Sequence, residues 1–126
     1  QLSSLLRPGT DIAAFIIEPT RSWVYLIKGG AQGPDVQAHR LPIESTALST
    51  LAARVADGIA ARDLGFASSA RELYGLLFGA HEPWLKDVRQ LILVPDGALW
   101  RVPFQALPSA DGRYLIERMT VSYAPS

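Results

Sequence analysis

The chain has 126 residues, 48% of them hydrophobic, with twelve basic and twelve acidic side chains and a formal net charge of zero. That length suits one domain with a core of its own, and the zero balance gives no electrostatic reason to expect nucleic acid or an anionic membrane as partner. Cysteine is absent, which excludes disulfides, thiolate metal sites and a cysteine nucleophile within these residues and fits a cytoplasmic protein. No stretch approaches the ~20 apolar residues of a membrane span. The start, Gln1-Leu2-Ser3-Ser4, has neither Met nor a signal-peptide pattern, so the chain reads as an excised piece of a longer protein.

Residues 1–9 read as a linker or the end of a preceding helix, broken by Pro8-Gly9. Asp11–Glu18 and Trp23–Lys28 are β-rich and joined by Pro19-Thr20-Arg21-Ser22, a hairpin loop. Trp23, Tyr25 and Ile27 share one face of the second strand and Val24 and Leu26 the other, so some cover is expected on both sides. Gly29–Asp35 is a turn. A phosphate loop would need a helix directly after it, whereas Val36–Leu41 alternates like a strand. The three segments form an antiparallel meander that Pro42 is expected to close.

Glu44–Arg62 reads as a helix with an apolar stripe of Leu48, Leu51, Val55 and Ile59. Gly58 weakens it by roughly 1 kcal/mol against Ala. A second helix is expected to start near Ser69, because Ser69-Ala70-Arg71-Glu72 has the form of a capping box. Its buried stripe is Leu73, Leu76, Leu77 and Ala80, and Gly79 and Pro83 set its end.

Leu91-Ile92-Leu93-Val94 is an unbroken apolar run, which suits a strand covered by helices on both faces. Pro95-Asp96-Gly97 stops it. Leu99, Trp100, Val102 and Phe104 follow, with Pro103 among them, and are expected to pack over the core as an edge strand or extended loop. After a turn at Asp111-Gly112, Met119, Val121 and Tyr123 alternate with Thr120 and Ser122, a last strand facing a core on one side. There is no internal repeat.

Several unusual pieces occur in order at close spacing: Val94-Pro95-Asp96-Gly97, Leu99, Pro103-Phe104, Ala106-Leu107, Asp111-Gly112, Tyr114-Leu115-Ile116-Glu117-Arg118 and Ser122-Tyr123-Ala124-Pro125-Ser126. This series resembles the CHAT domain, the caspase-like domain often found behind tetratricopeptide repeats. The resemblance implies an α/β fold that is the N-terminal part of a caspase-like three-layer sandwich. Its parts are an antiparallel meander, two helices and a buried central strand, all in one partial domain over residues 1–126. The implied activity is cysteine proteolysis on a polypeptide substrate by a cytoplasmic bacterial parent. The family's catalytic histidine sits in a glycine-flanked H-G motif and its cysteine follows a later strand. Neither lies in these residues, so no catalytic residue is assigned and the chain alone is expected to be an inert scaffold. The alternative is a non-catalytic protein–protein interaction module of a CHAT-like protein.

His39 and His81 read as surface or capping residues. Two histidines without cysteine do not make a zinc site, and neither has the H-G setting. No serine lies in a G-x-S-x-G elbow. Two substrate-binding candidates remain. Asp96 follows the carboxyl end of the central strand, where open α/β sheets place their sites; otherwise it caps its own turn. Arg101 can hold a substrate carboxylate by a bidentate pair; otherwise it makes a surface salt bridge. No metal, cofactor, nucleic acid or membrane is expected. The expected partner is the remainder of the caspase-like domain or a second chain. Self-association of the fragment is expected too, because the Leu91–Val94 and Trp23–Ile27 strands are apolar on both faces.

Overall fold

The computed structural model describes residues 7–30, 35–61, 65–109 and 111–125. Strands β1 (Thr10–Ile17), β2 (Arg21–Ile27) and β3 (Val36–Glu44) precede helices α1 (Ser45–Ala60) and α2 (Phe66–Phe78). A 3₁₀ turn at Gly79–His81, helix α3 (Glu82–Leu85) and strand β4 (Gln90–Val94) follow. Two further 3₁₀ turns, Gly97–Arg101 and Phe104–Ala106, then lead to helix α4 (Leu115–Arg118) and strand β5 (Thr120–Tyr123). The five strands make one mixed α/β sheet in the order β3-β2-β1-β4-β5. The first three form the antiparallel meander, while β1/β4 and β4/β5 run parallel.

One sheet face carries the core. Ala13, Phe15, Val24, Leu26, Leu41, Leu91 and Leu93 are buried together with Leu48, Leu51 and Val55 of α1 and Leu73, Leu77 and Phe78 of α2. Leu85 of α3 and Leu115 of α4 join the same cluster. The period-two alternation of the strands thus meets the stripes of the helices on a single side. Asp11 also points into this side. It is fully buried, its Oδ2 3.3 Å from Lys28 Nζ and its Oδ1 accepting the Gly29 N–H at 3.1 Å. A buried carboxylate persists because it is paired and hydrogen-bonded in this way.

The other face departs from expectation. Register places Ile12, Ala14 and Ile16 of β1 beside Ile27, Tyr25 and Trp23 of β2, and Ile92 and Val94 of β4 on their other flank. Among the described residues no helix packs on this side, since every helix contributes to the core opposite. Ile12 is buried, but Ile16 is 44% exposed and the others are half-buried. Among the described residues the helices therefore cover the central strand on one face, and these residues make two layers of the expected three.

Four local expectations are corrected by context. Pro42 does not close the meander but lies inside β3, which runs on to Glu44. This strand is the outermost of the sheet, where a missing N–H need not break a ladder. The first helix starts at Ser45, one residue later than read; its expected end at Arg62 lies outside the described residues. The second helix begins at Phe66, ahead of Ser69, with Gly65 at its N-cap and no side-chain cap bond. Phe66 packs against the core, and that burial outweighs the roughly 1 kcal/mol of a cap. Its buried positions are Ala70, Leu73, Tyr74, Leu77 and Phe78, while Ala80 is exposed in the following 3₁₀ turn.

The segment after β4 is neither an edge strand nor extended. It coils into the two 3₁₀ turns, burying Leu99, Val102, Phe104 and Leu107 over the core. Gly97 opens the first turn at φ 54°, and a Cβ there would stand 3.5 Å from Ile17 Cδ1. The left-handed backbone, more than the space, makes glycine the fitting residue. Before the last strand, the Tyr114 N–H donates to Glu117 Oε1 at 2.7 Å, so Glu117 satisfies the start of α4 from within.

Candidate functional site

The carboxyl ends of the parallel strands β1, β4 and β5 gather on one edge of the sheet. There Pro95-Asp96-Gly97 leaves β4 and turns over the end of β1. Asp96 Oδ2 accepts the Ile17 N–H at 2.7 Å, while its backbone carbonyl accepts the Leu99 N–H at 3.0 Å. The side chain of Asp96 is thus committed to β1, not to its own turn. It fixes the loop to the strand on which the sheet is built.

Arg101 closes the first 3₁₀ turn and pairs with Asp57 of α1. The two side chains are 55% and 68% exposed, so this is the surface salt bridge read as the plainer alternative. Such pairs contribute about 0–1 kcal/mol. Among the described residues no hydrogen bond or ion pair joins Asp96 to Arg101. The first binds β1 and the second binds α1.

Between α1 and this segment runs a groove of about 430 Å³, lined by Ile59, Trp100, Arg101, Pro103, Gln105 and Tyr123 among others. Trp100 and Tyr123 are 47% and 37% exposed, with ring centroids 6.5 Å apart. The Tyr123 hydroxyl accepts the Phe104 N–H at 2.9 Å and donates to Gln105 Oε1 at 2.6 Å. Burial raises its pKa above the ordinary phenol value, so the ring stays neutral and locks the loop to β5. A second, shallower depression of about 630 Å³ lies between the β1–β2 turn and the first half of α1, with Ser45, Thr46, Ser49 and Thr50 along it.

Two arrangements were beyond the sequence. Arg118 reaches back to α2 and α3, its Nη2 3.1 Å from Glu82 Oε1 and its Nη1 3.1 Å from the Tyr74 hydroxyl, which also donates to Glu82. Burial, then the bond to Glu82, push the Tyr74 phenol far up, so it remains protonated. This network ties the element just before β5 to the end of α2. His39 of β3 and His81 of the 3₁₀ turn, each read as a surface or capping residue, stack with centroids 4.3 Å apart. Among the described residues no three His, Asp or Glu side chains gather where they could hold a metal ion. No described helix is long and apolar enough to cross a membrane.

The sheet, the helices packed on its core face and the loops at the carboxyl ends of its parallel strands define an α/β domain. Residues 67–126, from within α2 to the end of the chain, match the sequence model of the CHAT domain family. No curated protein matches the chain.

Proposed function

We propose that this chain is the scaffold portion of a CHAT-family caspase-like cysteine protease domain, inert alone. In such proteases a histidine base helps generate a thiolate that attacks a peptide carbonyl. The chain has no cysteine, and its two histidines, one on the outer strand and one in the 3₁₀ turn after α2, are engaged with each other. Thiol and base are therefore supplied by residues outside these 126. Asp96 holds the loop at the sheet's carboxyl edge. Arg101 is the substrate-facing candidate, because an incoming carboxylate can displace the exposed Asp57 from it. The parent's setting is read as cytoplasmic and bacterial, with a polypeptide substrate, from the family resemblance.

The observation that carries this reading is the open sheet face. Ile16, Trp23, Tyr25, Ile27, Ile92 and Val94 form an apolar surface with no cover among the described residues. Parallel strands are ordinarily covered on both faces, and exposed apolar patches mark association sites. The same face favours a second reading, a non-catalytic interaction module that docks a partner there.

Two measurements on the isolated chain test the proposal. Sedimentation at micromolar concentration is expected to show self-association, with binding of a hydrophobic dye. A peptide library read by mass spectrometry is expected to show no cleavage. A clean monomer that binds no dye would mean that these residues close their own core, and would remove the support for a scaffold. Cleavage abolished by a point mutation in this chain would end the claim of inertness.

A further inference from the structure

We propose that the His39–His81 stack is a pH-sensitive fastener that holds the outer strand β3 to the end of α2. Strand β3 has few other holds on the helical layer. Val36, Gln37, Ala38 and Arg40 are exposed, Leu41 is buried and Ile43 is partly buried against the core. The first half of the strand therefore reaches the helices through His39, opposite Val24 of β2. His81 meets it from the 3₁₀ turn after α2, with ring centroids 4.3 Å apart and planes tilted by 40°. His39 Nε2 is also 3.0 Å from Gln37 Oε1.

Two neutral imidazoles, or one neutral and one charged, can stay in contact. Two imidazolium ions at this distance repel each other, and both rings are only partly wetted. The surrounding charges do not offset this. Glu82, the residue after His81, is engaged by the Tyr74 hydroxyl and the Arg118 guanidinium. Lys28, which packs over Trp84 of α3, pairs with Asp11. Arg40, the next residue along β3, points to the opposite face and is itself a cation. Burial first, and then His39, lower the His81 pKa below 6.5.

The sign follows. Where the folded state lowers a pKa, the unfolded chain takes up the proton first, and stability falls with decreasing pH. The contact is fully held above pH 6.5, the ordinary His81 value, and is lost as pH falls from there through the lowered folded value. Acid then frees the outer edge of the sheet, a strand edge open to pairing with another chain.

The test is a titration of the imidazole ring protons by NMR, with hydrogen exchange of backbone amides at the two ends of the range. In the wild-type chain the His81 ring is expected to titrate below 6.5. In His39→Gln, His81 is expected to move back up toward its ordinary value. Between about pH 7.5 and about pH 5, exchange at the β3 amides, corrected for the intrinsic pH dependence, is expected to rise several-fold while β4 amides keep their protection. In the variant that β3 response is expected to disappear. A His81 ring that titrates at or above its ordinary value of 6.5 in the wild-type chain would overturn the proposal without any variant. So would an equal loss of protection in β3 and β4, which marks global unfolding.

Discussion

Replacing Phe104 with alanine is expected to lower the stability of the chain by about 3–5 kcal/mol, the range for removing a buried aromatic ring. Phe104 is fully buried where three elements meet. Its centroid lies 5.7 Å from Phe15 of β1, 6.4 Å from Phe78 of α2 and 6.1 Å from Tyr123 of β5. Alanine keeps the backbone N–H that donates to the Tyr123 hydroxyl, so the loss isolates the ring and the cavity it leaves. Domains of this kind are stable by only ~5–15 kcal/mol, so the variant stands near the folding threshold. Urea denaturation followed by circular dichroism measures it. A loss under about 1 kcal/mol, well short of the core range, would mean that the segment after β4 rests on the surface instead of filling the core.

Leu93→Ala is expected to cost about 2–5 kcal/mol, and Ile92→Ala less than half as much. The two residues are adjacent on β4 and point to opposite faces. Leu93 is fully buried among the helices, whereas Ile92 lies on the open face and is half-buried. Side-chain burial, not position along the strand, sets the difference. Denaturation at low concentration gives the values for the monomer. Should Ile92→Ala cost as much as Leu93→Ala there, the second face is covered within the chain and the scaffold reading loses its main support. Should the two costs converge only as concentration rises, a second molecule is covering it, as mass action requires.

Much of the fold was legible because its signals are local. Alternation in Trp23–Ile27 set which side chains share a face, and the register with β1 follows that pattern. The stripe Leu48, Leu51 and Val55 is the buried face of α1. Pro95-Asp96-Gly97 ends β4 and turns at the positive φ of Gly97. The series from Val94 to Ser126 carried the resemblance to the CHAT domain, and the family model matches residues 67–126, which include it. Where local signals failed, a neighbour distant in sequence had outweighed them. Pro42 sits within a strand because that strand is the sheet's edge, and α2 starts at Phe66 because the core accepts that ring.

For the candidate site, the sequence by itself determined the residue types and the loop that carries Asp96 and Arg101. It also determined that no thiol is present. Only the tertiary structure decided what those side chains touch: Asp96 the end of β1, Arg101 the exposed Asp57, Arg118 the Tyr74 hydroxyl 44 residues away. It alone brought His39 against His81 and left one apolar sheet face without a helical cover among the described residues. The reason is physical. Periodicity and turn chemistry act over a few residues and leave a trace at each position. A hydrogen bond or ring contact between distant residues depends on strand order and on which face each crossover takes, and neither side chain alone encodes its partner.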